Sequence, residues 1–144
     1  MIIRPITLTD AASAANLSAE FGYPASKETM ERRIAALQNR SDHVVFVACT
    51  DETAIGWIDV GIVHHFQSEP YGEIGGFVVS EKHRSTGVGK QLIDRAEHWM
   101  REQGLSRSLV RSQLKREDAH RFYLREGYAQ VKTSAVFEKE LRVE

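Results

Sequence analysis

Two glycines one residue apart, Gly87 and Gly89, stand between an apolar run ending at Val78-Val79 and the strongest helical pattern in the chain. Leu92, Ile93, Ala96, Trp99 and Met100 follow at i, i+1, i+4, i+7 and i+8, one apolar stripe, and Gly104 supplies the stop. Residues 105–111 then return to strand character around Leu109-Val110. A strand, a crossover helix and a second strand place residues 71–79 and 105–111 side by side and parallel. The connection from Val79 to Lys90 suits an anion. Glycine tolerates positive φ and lets backbone amides come close to a ligand, and a helix start offers unpaired N–H groups with a partial positive charge. Arg84 and Lys90 add full charges. The run is neither a Walker A loop, because Lys90-Gln91 follows Gly89, nor the three-glycine dinucleotide fingerprint. On local chemistry alone, a phosphate cradle and a plain tight turn both remain open.

The rest of the chain reads as mixed α/β with no repeat or linker. Residues 2–8 suit a short strand held to an edge by Pro5, and Thr9 or Asp10 suits a helix cap. Gly22-Tyr23-Pro24 breaks the chain, and Ser26 caps a helix carrying Met30, Ile34 and Leu37. Residues 43–50 and 54–64 form a hairpin around Asp51-Glu52-Thr53, followed by a loop with Pro70 and the strand 71–79. Residues 117–126 make a short helix ended by Gly127, and residues 128–141 return as strand with a turn near Lys132-Thr133. The fold class expected is α/β (α+β), a mixed and mostly antiparallel sheet with helices on both faces. One domain over residues 1–144 follows from the length.

Charge narrows the function. Nineteen Lys and Arg against twenty Asp and Glu leave a net charge of −1, which offers no field for nucleic acid or an anionic membrane. No apolar run approaches the ~20 residues that span a bilayer, and no leader precedes Ile2. The single cysteine, Cys49, lies in the apolar run 44–49 and reads as a small buried residue rather than a nucleophile. A reducing, cytoplasmic setting is expected. No metal is expected either: His64 and His65 are neighbours on a strand and point to opposite faces.

Two motifs then resemble one family. Arg84-Ser85-Thr86-Gly87-Val88-Gly89 is similar to the acetyl-CoA motif of the GCN5-related N-acetyltransferases (GNATs), Arg/Gln-x-x-Gly-x-Gly/Ala after a strand. Ala119-His120-Arg121-Phe122-Tyr123-Leu124-Arg125-Glu126-Gly127-Tyr128 is similar to that family's second mark, an Ala, a Phe/Leu-Tyr pair and a Gly-Phe/Tyr ending. One helix and one strand separate them, as in the family, and the opening Ile3-Arg4-Pro5 with Thr9-Asp10-Ala11 is also GNAT-like.

The resemblance implies acetyl-CoA as cosubstrate, with the parallel strands splayed to hold it. Val78 and Val79 would pair with the pantetheine arm. Arg84, Ser85, Thr86, Gly87, Val88, Gly89 and Lys90 would hold the pyrophosphate. An acyl carbonyl near the Val79 amide would be polarised there. Tyr123 matches the tyrosine that protonates the departing thiolate. Arg116 stands where many members carry an Asn that touches the cofactor arm, so it either reaches a CoA phosphate or an anionic substrate, or is solvated.

On the amine side, Glu73 resembles the strand glutamate that some small-amine acetyltransferases use as base or substrate anchor. Gly75-Gly76 beside it suggest a bulge. His64 and His65 are candidates for the amine pocket, whereas His43, His83, His98 and His120 read as scattered surface groups and Trp57 and Trp99 as core. The basic run Arg111, Lys115, Arg116, Arg121 and Arg125 is either a solvated face or an attraction for an acidic group. Residues 118–128 look most like aminoalkylphosphonate N-acetyltransferases. The function expected is transfer of acetyl to a primary amine of a small molecule (an aminoalkylphosphonate, an aminoglycoside or similar) by direct attack. The alternatives are a peptide or protein acceptor and a non-catalytic acetyl-CoA-binding regulatory module. A homodimer is expected by analogy.

Overall fold

The computed structural model describes residues 1–112 and 116–142, in two compact units covering Met1–Arg111 and Ser112–Glu144. The first unit holds a five-stranded sheet in the order β1-β2-β3-β4-β5: β1 Ile2–Pro5, β2 His43–Thr50, β3 Thr53–His65, β4 Ser68–Val79 and β5 Ser108–Val110. The first four strands pair antiparallel and β4–β5 pair parallel, as the crossover requires. The helices are α1 Ala11–Glu20, α2 Lys27–Gln38 and α3 Val88–Glu102.

Local chemistry sets most boundaries. Thr50 pairs with Thr53 across a two-residue turn in which Asp51 and Glu52 both take positive φ, the geometry that matches strand twist. Ser26 caps α2, its hydroxyl accepting from the Thr29 amide at 3.0 Å. Past α3, the Leu105 amide closes back on the Met100 carbonyl at 3.0 Å, with Gly104 at φ +78°.

Several boundaries differ from expectation. β1 stops at Pro5, and a single 3-10 turn at Leu8–Asp10 follows. Asp10 does not cap α1 with its side chain, because the carboxylate is taken by Arg4 and by the Thr7 amide at 2.8 Å. β4 begins at Ser68 rather than Tyr71. Pro70 fits inside it because the ladder slips between Val63 and His65, where no amide is needed. β5 keeps only three of the seven residues expected. Residues 128–141 form no strand among the described residues. Val131, Val136, Phe137 and Leu141 are all exposed and keep no period of two, and Gln130 bonds locally to Thr133 at 3.3 Å.

Both sheet faces are covered. On one, Leu92 and Val88 of α3 lie against Gly56, and Arg95 stacks on Phe46 with its guanidinium 4.4 Å from the ring centre. On the other, Val47, Cys49 and Ala54 pack with Ile6 and Trp57, and the Arg4–Asp10 pair leads into α1. Cys49 is buried, and that burial pushes its thiol up while Arg4 partly opposes the shift. The second unit contributes α4, Glu117–Arg125, ended at Gly127 with φ +93°.

Candidate active site

β4 delivers the chain to α3 through a short 3-10 turn, Glu81–His83, and then Arg84, Ser85 and Thr86. Ser85 sits at φ +62° and Gly87, the residue before the helix, at φ +89°. Gly87 brings no side chain to the helix end, and among the described residues none caps it. The first-turn amides therefore face outward as α3 begins, which is the chemistry of an anion site. The loop is fixed from outside. The Glu81 amide donates to Glu20 at 2.9 Å, the Arg84 guanidinium lies 5.2 Å from the Phe21 ring centre, and Thr86 donates to the His83 carbonyl. Lys90, at the rim, stands 3.2 Å from Asp94. His83, read as a surface group, instead has Nδ1 buried with no hydrogen-bond partner among the described residues.

Val78 is buried and pairs with Trp57, and Val79 pairs with Gly56. The β4–β5 ladder covers only Gly72 to Ile74, opposite Ser108 to Val110, while β4 itself continues to Val79. Between those stretches Gly75 is the extra residue of a bulge: Asp59 pairs with Gly76 and Val60 with Ile74.

Glu73 lies half-buried on the same sheet face as Trp57 and Asp59, with Arg111 3.8 Å away. Leu109 flanks it on β5 and Gly61 on β3. His64 and His65 end β3 exposed, and His65 bonds to the buried Tyr71 hydroxyl at 3.2 Å, with Arg107 over that ring. His65 is four residues along β3 from Gly61, about 13 Å at strand rise. The histidine nearer Glu73 is His43. It faces Gly61 across the β2–β3 ladder and bonds through Nε2 to Asp59. Neither His43 nor Asp59 stood out in the sequence. Their one signal was Gly61, a strand-centre glycine whose added Cβ would lie 2.9 Å from His43 Nδ1.

In the second unit Tyr123 sits half-buried on α4 between Phe122 and Tyr128, ring centres 5.7 and 6.1 Å away. Burial pushes its phenol above the ordinary tyrosine value, and the Arg116 charge opposes that in part. A phenol held in its protonated form suits an acid. Arg116 precedes α4 without capping it. Of the basic run, Arg111 meets Glu73, Arg121 pairs with Asp118, Arg125 lies over Phe122, and Lys115 lies outside the described residues. Among the described residues no His, Cys, Asp and Glu cluster could hold a metal ion, and no helix is long and apolar enough to cross a membrane.

Residues 12–128 match the family model for the acetyltransferase (GNAT) family. The chain belongs to that family. With it the chain is placed among acetyl-CoA-dependent N-acetyltransferases. An aminoalkylphosphonate N-acetyltransferase of Salmonella typhimurium is 36% identical over 85 residues, 58% of this chain and 55% of that protein, so the match spans about half the relative's length. An aminoglycoside N(6')-acetyltransferase type 1 of Stenotrophomonas maltophilia is 26% identical over 94% of this chain and 90% of its own. The solved structure of the aminoglycoside acetyltransferase AAC(6')-Iy with a bisubstrate analogue of CoA and acetylneamine superposes with a TM-score of 0.86. It is 19% identical, with 97% of this chain and 98% of that chain covered. At that identity the likeness speaks for the fold, a mixed sheet with one parallel pair.

Proposed function

We propose that this GNAT transfers acetyl from acetyl-CoA to the primary amine of a small molecule, such as an aminoalkylphosphonate or an aminoglycoside, by direct attack and without an acyl-enzyme. The observation that carries the reading is the passage from β4 through the αL residue Gly87 into the uncapped start of α3. It supports placing the pyrophosphate at Arg84 to Lys90 and the pantetheine arm along Val78 and Val79. The Val79 amide then polarises the acyl carbonyl, Glu73 holds the incoming ammonium, and Tyr123 donates its phenol proton to the leaving thiolate. The substrate class rests on the two kinds of relative and on a half-buried carboxylate beside the β4 bulge. A single domain over residues 1–144 belongs to this proposal, the family match running through both units. So do a cytoplasmic location and a homodimer.

Calorimetric titration with acetyl-CoA tests the cleft: micromolar binding, about −8 kcal/mol, is expected. Thiol release with 2-aminoethylphosphonate and with neamine then tests the acceptor. Binding without turnover of any amine or peptide would favour the non-catalytic module. Absence of binding would reduce the glycine loop to a turn.

A further inference from the structure

We propose that His43, oriented by Asp59, takes the proton of the acceptor amine from across Gly61, opposite Glu73. This rests on the acetyltransferase reading above and names a residue that reading does not use. Three strands place the groups in one row: His43 on β2 pairs with Gly61 on β3, and Gly61 pairs with Glu73 on β4. Directly paired residues share a sheet face, so both side chains rise on the same side. The residue between them has none. Two strand spacings separate their backbones by about 10 Å, and over Gly61 that gap is open to an amine or a water.

The imidazole is held for the task. Its Nε2 is bonded to the Asp59 carboxylate one row away, which leaves Nδ1 over Gly61 as the acceptor nitrogen. A base oriented by a third group is the arrangement that nucleophile activation uses elsewhere. The Asp59 carboxylate is positioned in turn by an absence: a Cβ on Gly75, the bulge residue, would meet its Oδ2 at 2.7 Å. Trp57, the next residue of β3 on this face, has its indole N–H buried with no hydrogen-bond partner among the described residues. The bond to Asp59 raises the His43 pKa above the usual histidine value, against partial burial. The charged groups around the ring are Asp59 on β3, Arg40 and Asp42 on its own approach, and Glu73 on β4. Arg40 and Asp42 bind each other at 2.9 Å, and Glu73 has Arg111 beside it.

Proton accounting closes. The bound R–NH3+ gives one proton to His43, which is part exposed and returns it to solvent. The neutral nitrogen attacks the carbonyl carbon, forming the C–N bond. As the C–S bond breaks, the nitrogen loses a second proton, equal in number to the one Tyr123 delivers to sulfur. One proton is released per turnover.

The test is the pH dependence of kcat/KM for 2-aminoethylphosphonate and neamine in wild type, His43→Gln, Asp59→Asn and Gly61→Ala. Wild type should show an acidic limb. His43→Gln should lose that limb and about a hundredfold in kcat/KM, with acetyl-CoA affinity and thermal unfolding unchanged. Asp59→Asn should move the limb to lower pH, and Gly61→Ala should lower kcat with the limb in place. A limb that persists in His43→Gln, or equal losses of acetyl-CoA binding in all three variants, overturns the proposal. So does an imidazole resonance of His43 that neither probe amine shifts by NMR, a readout that needs no turnover. Failure of wild type to bind acetyl-CoA would instead overturn the enzyme reading itself.

Discussion

Arg4 on β1 and Asp10 at the start of α1 meet through two parallel bonds of 2.8 Å, with the carboxylate almost wholly removed from solvent. The same carboxylate receives the Thr7 amide, so one side chain ties strand, turn and helix. The Arg4 guanidinium, first of all, holds the Asp10 carboxyl below the usual carboxylate range. A carboxyl whose folded pKa is depressed stabilises the fold above its unfolded value, near 3.8, and the contribution fades as pH falls through the folded value. Asp10→Ala should therefore cost about 2–3 kcal/mol at pH 7, leaving Arg4 and the Thr7 amide unpaired. Urea unfolding at pH 7 and below pH 4 checks it: the gap between variant and wild type should narrow in acid. An equal gap at both would remove the ion pair as the cause.

Tyr123→Phe should lower kcat about tenfold or more while acetyl-CoA binding stays intact. Because burial raises the phenol pKa, wild type should show no alkaline loss of kcat from this group below about pH 10. An unchanged kcat in the variant, with chemistry rate-limiting, would take Tyr123 out of the mechanism.

Glu73→Gln removes the charge that faces the acceptor and leaves Arg111 without its carboxylate at 3.8 Å. The expected result is a rise of about tenfold in the amine KM, some 1.4 kcal/mol, with the acetyl-CoA KM unmoved. Superimposable amine kinetics would refute the anchoring role.

Gly87→Ala meets no steric obstacle, since nothing lies within 4 Å of the added Cβ. Its cost is conformational: φ of +89° disfavours any L side chain, by about 1 kcal/mol. Acetyl-CoA should bind about fivefold more weakly by calorimetry, whereas Gly22→Ala, also at positive φ but far along the sequence from the loop, should leave that affinity alone.

What the sequence made legible was whatever rests on local chemistry. The stripe on α3, the caps at Ser26 and Gly104 and the bulge signalled by Gly75-Gly76 are contained within a few residues, and all are found in the structure. What it hid depends on register. His43 and Asp59 are sixteen positions apart, and only the β2–β3 ladder brings them together. Residues 128–141 were misread for the converse reason. Their β-formers invite a strand, but strand is a property of a ladder, and those side chains share no face. The Asp10 carboxylate was assigned to the helix cap because its stronger partner, Arg4, lies six positions back on another element.

The bulge at Gly75 also fixes what β4 can tolerate in length. Side chains alternate along a strand, so one inserted residue reverses the alternation for all that follow. Glu73 and Gly76, three apart, consequently share a face, and Val78 joins them. Deleting Gly75 would restore a regular ladder and swap that assignment: Val78 would turn toward α3, and Phe77 would turn to the face where Trp57 and Asp59 stand. β4 thus carries a phase as well as a sequence. Single-residue insertions or deletions within it should be far more damaging than substitutions at the same positions, while changes in pairs should be the survivable ones.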